Sequence, residues 1–389
     1  MRRPGLILLL GSLTAYSPLM TDLYLPAFPQ MARDLGCGPG AVQWTLTAYL
    51  VGVAVGQIVV GPVSDAMGRR RPLQLGLFAC ALTTVACAWS PSVVVLDVVR
   101  FLQGAIAAAS LVVTRAVVRD LFEGAEVSRF LSRLMMITGL VPILAPFGGG
   151  QILRVTSWRG TFVVLAVTGL VLLVATTLFL PETLPAQMRR RGSLGDTRAT
   201  YGDLSRDRVF VGMTLTCGLA FAALLVYISQ AAFVFQTQYG VSPQTFGVLF
   251  GVNSLCLVGA GQVSGRVVRR VGPERLLTVA LAVMAVGALL LLGCALVGTS
   301  HLQGVMVPMW AVLAGVGVVT PNATALALAD YPHSAGTASA FLGSAQFIVG
   351  GLLAPATAVF TVSPALSMSC AIALACAGSL VTFRWARLR

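Results

Sequence analysis

Lysine is missing from the chain, and charge of either sign is scarce. Of 389 residues only 10% are charged, where a soluble domain carries about 25%. That shortage excludes a solvated globular surface. The 26 basic residues are all arginine, and they outnumber 13 Asp and Glu for a net charge of +13. The eight cysteines contain no CxxC pair, and most fall inside apolar runs. They read as small packing residues rather than disulfide partners or metal ligands. No GxxxxGK[ST] is present to bind ATP, and no HExxH or comparable cluster to hold a metal. The expectation is a protein with no cofactor, no metal and no catalytic residue, hence not an enzyme. The arginines sit between apolar runs, which favours a topological role for them over a nucleic-acid partner.

What fills the chain is apolar. Hydrophobic residues make up 57%, and mean hydropathy is +0.88. The runs are about 20 residues long, which means helices; a membrane barrel shows short alternating segments. Breaks at Gly, Pro and Arg clusters give spans at 6–27, 42–62, 74–90, 93–115, 134–154, 160–181, 210–232, 244–264, 276–297, 303–326, 336–357 and 364–384. With the N-terminus inside, 21 of the 26 arginines fall in loops on one side and three on the other, with Arg100 and Arg115 inside a span. This bias sets an even number of spans with both termini cytoplasmic. The fold class is therefore all-α and polytopic, with twelve transmembrane helices in the cell membrane. The longest polar stretch, 182–209, separates a six-helix bundle at 1–181 from a second at 210–389.

The two halves repeat. After the second span stands Gly61-Pro-Val63-Ser64-Asp65, followed by Gly68-Arg69-Arg70-Arg71; after the eighth stands Gly261-Gln-Val263-Ser264-Gly265, followed by Arg266, Arg269 and Arg270. Matching residues in equivalent loops point to duplication. The second copy lacks the acid.

Asp22 is the only residue between Arg3 and Arg33 whose side chain is ordinarily charged at neutral pH. An acid inside a membrane span is costly and marks a functional site. It lies roughly 7 Å from the outer end of the first span, and Arg100 roughly 10 Å from the outer end of the fourth, at 1.5 Å per residue. Burial favours the neutral acid, and a nearby arginine favours the carboxylate. A change in their separation then moves a proton, with Asp22 as carrier and Arg100 as tuner. Two structural alternatives are a static Asp22–Arg100 pair, and an Asp97–Arg100 pair at i,i+3 on one helix.

Several motifs carry a family resemblance. Gly61-x-x-x-Asp65-x-x-Gly68-Arg69-Arg70-Arg71 resembles the loop signature of the major facilitator superfamily, and Arg100-x-x-Gln103-Gly104 its fourth-helix motif. Gly139-x-x-Pro142-x-x-Ala145-Pro146-x-Gly148-Gly149 resembles the fifth-helix motif of drug:proton antiporters, with Ala-Pro-Phe-Gly-Gly where Gly-Pro-x-x-Gly is usual. That variant is similar to the bicyclomycin/chloramphenicol-resistance subfamily, as are Asp22-Leu-Tyr24-Leu-Pro26-Ala27, Arg115-x-x-x-Arg119-Asp120, Ser157-Trp158-Arg159 and Ala335-Gly336-Thr337 with Gln346.

The resemblance implies export of a small drug against protons, by a monomer in the lipid bilayer. A proton-coupled uptake carrier is the alternative. It also implies a cytoplasmic latch of Gly61, Asp65, Gly68, Arg69 and Asp120. On physical grounds Asp65 is expected to face the positive N-terminus of span 11 near Ser334 to Thr337, and Arg69 to pair with Asp120 at the inner end of span 4. Pro142 and Pro146 bend the fifth span, and Gly139, Gly148 and Gly149 allow close contact; the resemblance links that bend to export and to sealing against proton leak. The drug cavity is expected at mid-membrane between the halves. Its candidate wall is Tyr24, Tyr49, Tyr227, Asn253, Asn322 and Gln346, with Gln57 and Gln230 as further polar groups. For most of these an interhelical hydrogen bond is the simpler role.

Overall fold

The computed structural model describes residues 3–122, 125–185, 187, 189, 202, 204–298, 301–331, 335–356 and 363–387. Among them are twelve long helices and no strand: α1 (Arg3–Asp22), α2 (Pro39–Met67), α3 (Arg70–Ala88), α4 (Val93–Leu121), α5 (Ala125–Ile152), α6 (Trp158–Phe179), α7 (Arg208–Ala232), α8 (Pro243–Val271), α9 (Pro273–Val297), α10 (Gln303–Leu328), α11 (Ala335–Ala356) and α12 (Pro364–Arg387). A 3₁₀ turn, Leu25–Ala27, and a short helix, Phe28–Asp34, continue α1. Among the described residues eleven helices are long and apolar enough to cross a membrane, and α11 adds the apolar stretch Phe341–Leu353.

Local chemistry starts these helices. Pro39, Pro243, Pro273 and Pro364 open α2, α8, α9 and α12, at the one helical position where a missing N–H is harmless. Elsewhere a side chain caps the free N–H groups. Ser92 Oγ accepts from Val95 N–H at 3.4 Å, and Asp207 Oδ1 accepts from Val209 and Phe210 N–H at 2.7 and 3.1 Å.

The helices outrun the apolar windows at their polar ends. The stretch from Gly61, expected as a loop, is helical to Met67, and the connection to α3 is only Gly68 and Arg69. Likewise α8 stays helical through Arg266, Arg269 and Arg270. Hydropathy reports contact with lipid, whereas i→i−4 hydrogen bonding continues into water. Both helices end at a glycine with positive φ, Gly68 at 89° and Gly272 at 85°, where a β-carbon would be strained. Four more residues separate the glycines in the second copy, about one extra turn.

The chain forms two compact units, Met1–Gly192 and Ser193–Arg389. In the first, α1 packs on α5, α2 on α4, and α3 on both α4 and α6. In the second, each pairing recurs six helices later: α7 on α11, α8 on α10, and α9 on α10 and α12. The tightest seam is α2 with α4. A β-carbon on Gly52 or Gly56 would strike the carbonyl of Phe101 or Ala105, and one on Gly104 the carbonyl of Tyr49. Backbones this close need Gly52-x-x-x-Gly56, the small-residue spacing of membrane helix pairs. In the second unit Gly317 lies likewise on the Leu257 carbonyl. Large apolar side chains such as Leu82, Leu178, Leu289 and Leu374 face outward, while Gln103, Ser110, Thr216 and Asn253 are buried. That inversion suits lipid as solvent.

Candidate functional site

The α2–α4 seam sets the position of Arg100, which is fully buried. Its guanidinium lies 4.5 Å from the ring centre of Tyr24 and 4.4 Å from that of Tyr49. Nη1 donates to Gln103 Oε1 at 2.6 Å, Nε to the Thr45 carbonyl at 3.3 Å, and Nη2 to the Met20 carbonyl at 3.3 Å. Gln103 Nε2 passes the network to Thr84 Oγ1 at 2.6 Å. Three aromatic rings, with Phe162 at 5.8 Å the third, and three oxygens thus solvate the cation in place of water.

Neither acid weighed as its partner is bonded to it. Asp22 is the last residue of α1, 5% exposed, and its hydrogen-bond donor is Thr21 Oγ1 at 3.0 Å. Asp97 Oδ1 is buried without a hydrogen-bond partner. Depth along a helix can be read from sequence, but rotation about its axis cannot, and rotation decides which group the guanidinium meets. Arg100 therefore reaches the backbone two residues before Asp22 and leaves the carboxyl unpaired with any cation.

Two tyrosines of the expected cavity wall, Tyr24 and Tyr49, flank this arginine. Tyr24 hydroxyl meets Thr45 Oγ1 at 3.1 Å, and Tyr49 hydroxyl meets Ser17 Oγ at 2.9 Å and donates to the Ser17 carbonyl at 3.2 Å. The Phe162 ring lies 5.5 Å from that of Tyr24, and Trp158 is 6.0 Å beyond it. Trp158 N–H donates to Gln30 Oε1 and its indole N–H to Asp34 Oδ2, both at 3.0 Å. This motif thus ties the short helix after α1 to α6 and holds Tyr24 against Arg100.

Helix α5 runs without interruption through Pro142 and Pro146. A β-carbon on Gly149 would strike the Leu23 carbonyl and lie 3.3 Å from Pro26 Cγ, whereas at Gly148 the nearest atom, Leu23 Cδ1, is 3.7 Å away. Gly149 is thus the close contact between α5 and the turn that carries Asp22. Gly139 is half-buried.

The second cluster gathers at the α2–α3 connection. Arg69 Nε donates to Asp120 Oδ2 at 2.9 Å, as the sequence suggested, and Nη1 reaches Ser64 Oγ at 3.0 Å and Asp65 Oδ1. Ser64 Oγ in turn donates to the Gly61 carbonyl at 3.0 Å. Ser334, expected opposite Asp65, lies outside the described residues. Sequence reading missed two participants that follow α6. Glu182 Oε1 accepts from Arg69 N–H at 2.8 Å and Oε2 from Arg70 N–H at 3.2 Å, while Thr183 Oγ1 donates to Asp120 Oδ2 at 3.0 Å. The one signal was the Pro181-Glu182-Thr183 step at the end of an apolar run. Burial pushes the Glu182 carboxyl up, but the N–H groups of Arg69, Leu184 and Arg70 and the Arg189 charge hold it below the usual range.

The corresponding core of the second unit is neutral. Asn253 Nδ2 donates to Tyr227 hydroxyl at 2.7 Å, and Trp310 Nε1 donates to Asn253 Oδ1 at 2.8 Å. Asn322 Nδ2 donates to Ser264 Oγ at 2.8 Å, inside the repeated Val263-Ser264 element. Gln57 on α2 and Gln346 on α11 are half-buried, and Gln230 on α7 is buried. Among the described residues no His, Cys, Asp and Glu groups cluster to hold a metal.

Comparison with known proteins places this geometry in a family. Residues 10–355 match the Major Facilitator Superfamily. The sequence is 40% identical to an uncharacterized MFS-type transporter of Bacillus subtilis, over 91% of this chain and 88% of that protein. It is 31% identical to a bicyclomycin resistance protein homolog of Haemophilus influenzae, over 93% and 91% of the two chains. It is also 31% identical to a chloramphenicol resistance protein of Pseudomonas aeruginosa, over 89% and 81%. The fold is similar to that of a D-xylose-proton symporter, with a TM-score of 0.76 at 15% identity, covering 97% and 96%.

Proposed function

The chain belongs to the major facilitator superfamily, a multi-pass membrane transporter and not an enzyme, and from that premise we propose that it exports small antibiotics in exchange for protons. Relatives named for bicyclomycin and chloramphenicol resistance support the drug class. The observation that carries proton coupling is Asp22: a carboxyl 5% exposed at the end of a membrane helix, with one hydroxyl donor and no bonded cation. A carboxyl so placed is costly to bury as an ion, which makes it the candidate proton carrier. Asp22 takes a proton from outside and gives it up inside, and the drug moves the other way.

Arg100 acts here as a fixed positive charge bonded to the backbone of α1 two residues before the carrier, always ionised and clamped by Gln103, Thr45 and Met20. The Asp65–Arg69–Asp120 cluster serves as the latch, Gly149 seats α5 on the Asp22 turn, and Pro142 and Pro146 bend that helix. Tyr24, Tyr49, Tyr227, Asn253, Asn322 and Gln346 are the proposed drug contacts, in a monomer whose two termini face the cytoplasm.

Expression in a drug-sensitive host tests this reading. The protein should lower antibiotic accumulation and raise the inhibitory concentration, and a proton uncoupler should erase both effects. Raised accumulation of a nutrient, with no change in drug tolerance, identifies an uptake carrier instead.

A further inference from the structure

A polar cavity of about 280 Å³ opens at the first turn of α3, beside the chain that follows α6. Arg70, Arg71, Gln74, Glu182 and Arg189 line it. Arg70 commits Nη2 to the Thr177 carbonyl at 2.6 Å, and Gln74 Nε2 donates to Thr177 Oγ1 at 3.1 Å. Yet the Nε atoms of Arg70 and Arg189 are both buried and without a hydrogen-bond partner. Two orphaned cationic donors in one cavity are costly.

Glu182 does not resolve this. Its Oε1 accepts from the Arg69 and Leu184 N–H groups and its Oε2 from Arg70 N–H. Three arginines against one committed carboxylate leave the cavity net positive. An anion with several acceptor oxygens answers both orphaned donors at once.

We infer that this cavity binds a phosphate group, carried by an anionic phospholipid. The chemistry alone fits lipid or free phosphate; the surroundings favour lipid. Leu75, Phe78 and Leu82 on α3 and Val171, Val174 and Leu178 on α6 are all exposed. They recur at helical spacing along the membrane face of both helices, so acyl chains have an apolar surface beside the headgroup. Basic pockets between membrane helices suit such headgroups. The site needs only membrane insertion, so it stands or falls apart from the drug reading.

Native mass spectrometry of the purified full chain tests it, with phosphatidylglycerol, cardiolipin and phosphatidylcholine as probes. The wild type should retain one anionic lipid in preference to phosphatidylcholine. Arg71→Gln and Arg189→Gln should each weaken that retention about fivefold, and lysine at either position should restore most of it. Arg71 is exposed, so its variant keeps the test valid if Arg189→Gln misfolds. Equal retention by wild type and both variants overturns the site. Stabilisation by inorganic phosphate, without discrimination between phosphatidylglycerol and phosphatidylcholine, overturns the lipid as its source.

Discussion

Arg100 donates to the carbonyl of Met20 at 3.3 Å, two residues before Asp22, and makes no ion pair with that carboxyl. The arginine thus holds the backbone that presents the acid while leaving the acid without a bonded counter-charge. A bonded arginine would favour the carboxylate at every stage of a cycle; one that grips only the main chain does not. Lysine cannot take over, because its ammonium lacks a planar fork to reach Gln103, Thr45 and Met20 together. Arg100→Lys should insert normally but lose at least about tenfold in drug efflux, with about 2 kcal/mol of stability lost for the charged hydrogen bonds. Efflux assays and thermal melts check this; wild-type efflux in the variant would remove Arg100 from the account.

Gly149 and Gly148 are neighbours with opposite expectations. At Gly149 an added β-carbon meets the Leu23 main chain, which has to move. Gly149→Ala should cost about 1–3 kcal/mol as an overpacked contact and cut transport, because Asp22 moves with Leu23. Gly148→Ala meets only Leu23 Cδ1 at 3.7 Å and should be close to neutral. Melting temperature and efflux, measured on both, separate a seat for the Asp22 turn from a general dislike of side chains on α5.

Much of this was legible beforehand, and the failures are instructive. Apolar runs located all twelve helices because lipid contact imposes length and hydropathy together. The glycine-terminated repeat survived as equivalent breaks at Gly68 and Gly272. Arg69 and Asp120 were legible as partners, since the two helix ends they occupy are both polar. What stayed hidden was azimuth. Arg100 was expected beside a carboxylate, and its cage of tyrosines and carbonyls depends on Gly52, Gly56 and Gly104 bringing α2 against α4. Glu182 was hidden for another reason: it bonds main-chain N–H groups, which leave no trace in a sequence.

Glu182 gives a pH signature. Its folded value lies below the usual one, so its contribution is complete above the unfolded value of about 4.3 and is lost as pH falls through the folded value. Glu182→Gln should therefore melt earlier than wild type near pH 6, and the gap should shrink as pH falls below the unfolded value and close below the folded one. The gap will be small, because the group is exposed and screened. A gap that is constant with pH contradicts a role for its charge.

Asp65 is half-exposed and bonded to Arg69, which also holds Ser64 and Asp120. Removing one of three acceptors loosens the α2–α3 connection without touching the α4 contact. Asp65→Ala should slow turnover several-fold and leave drug affinity unchanged, as read by transport rate and equilibrium binding on the same preparation. Lost binding at an unchanged rate would place Asp65 outside the latch.

Drug-driven proton movement in reconstituted vesicles tests proton exchange at Asp22 most directly. Wild-type protein should move protons opposite to an imposed drug gradient, and Asp22→Asn should bind drug and move none. Undiminished proton flux in Asp22→Asn vesicles would contradict the carrier role of that side chain.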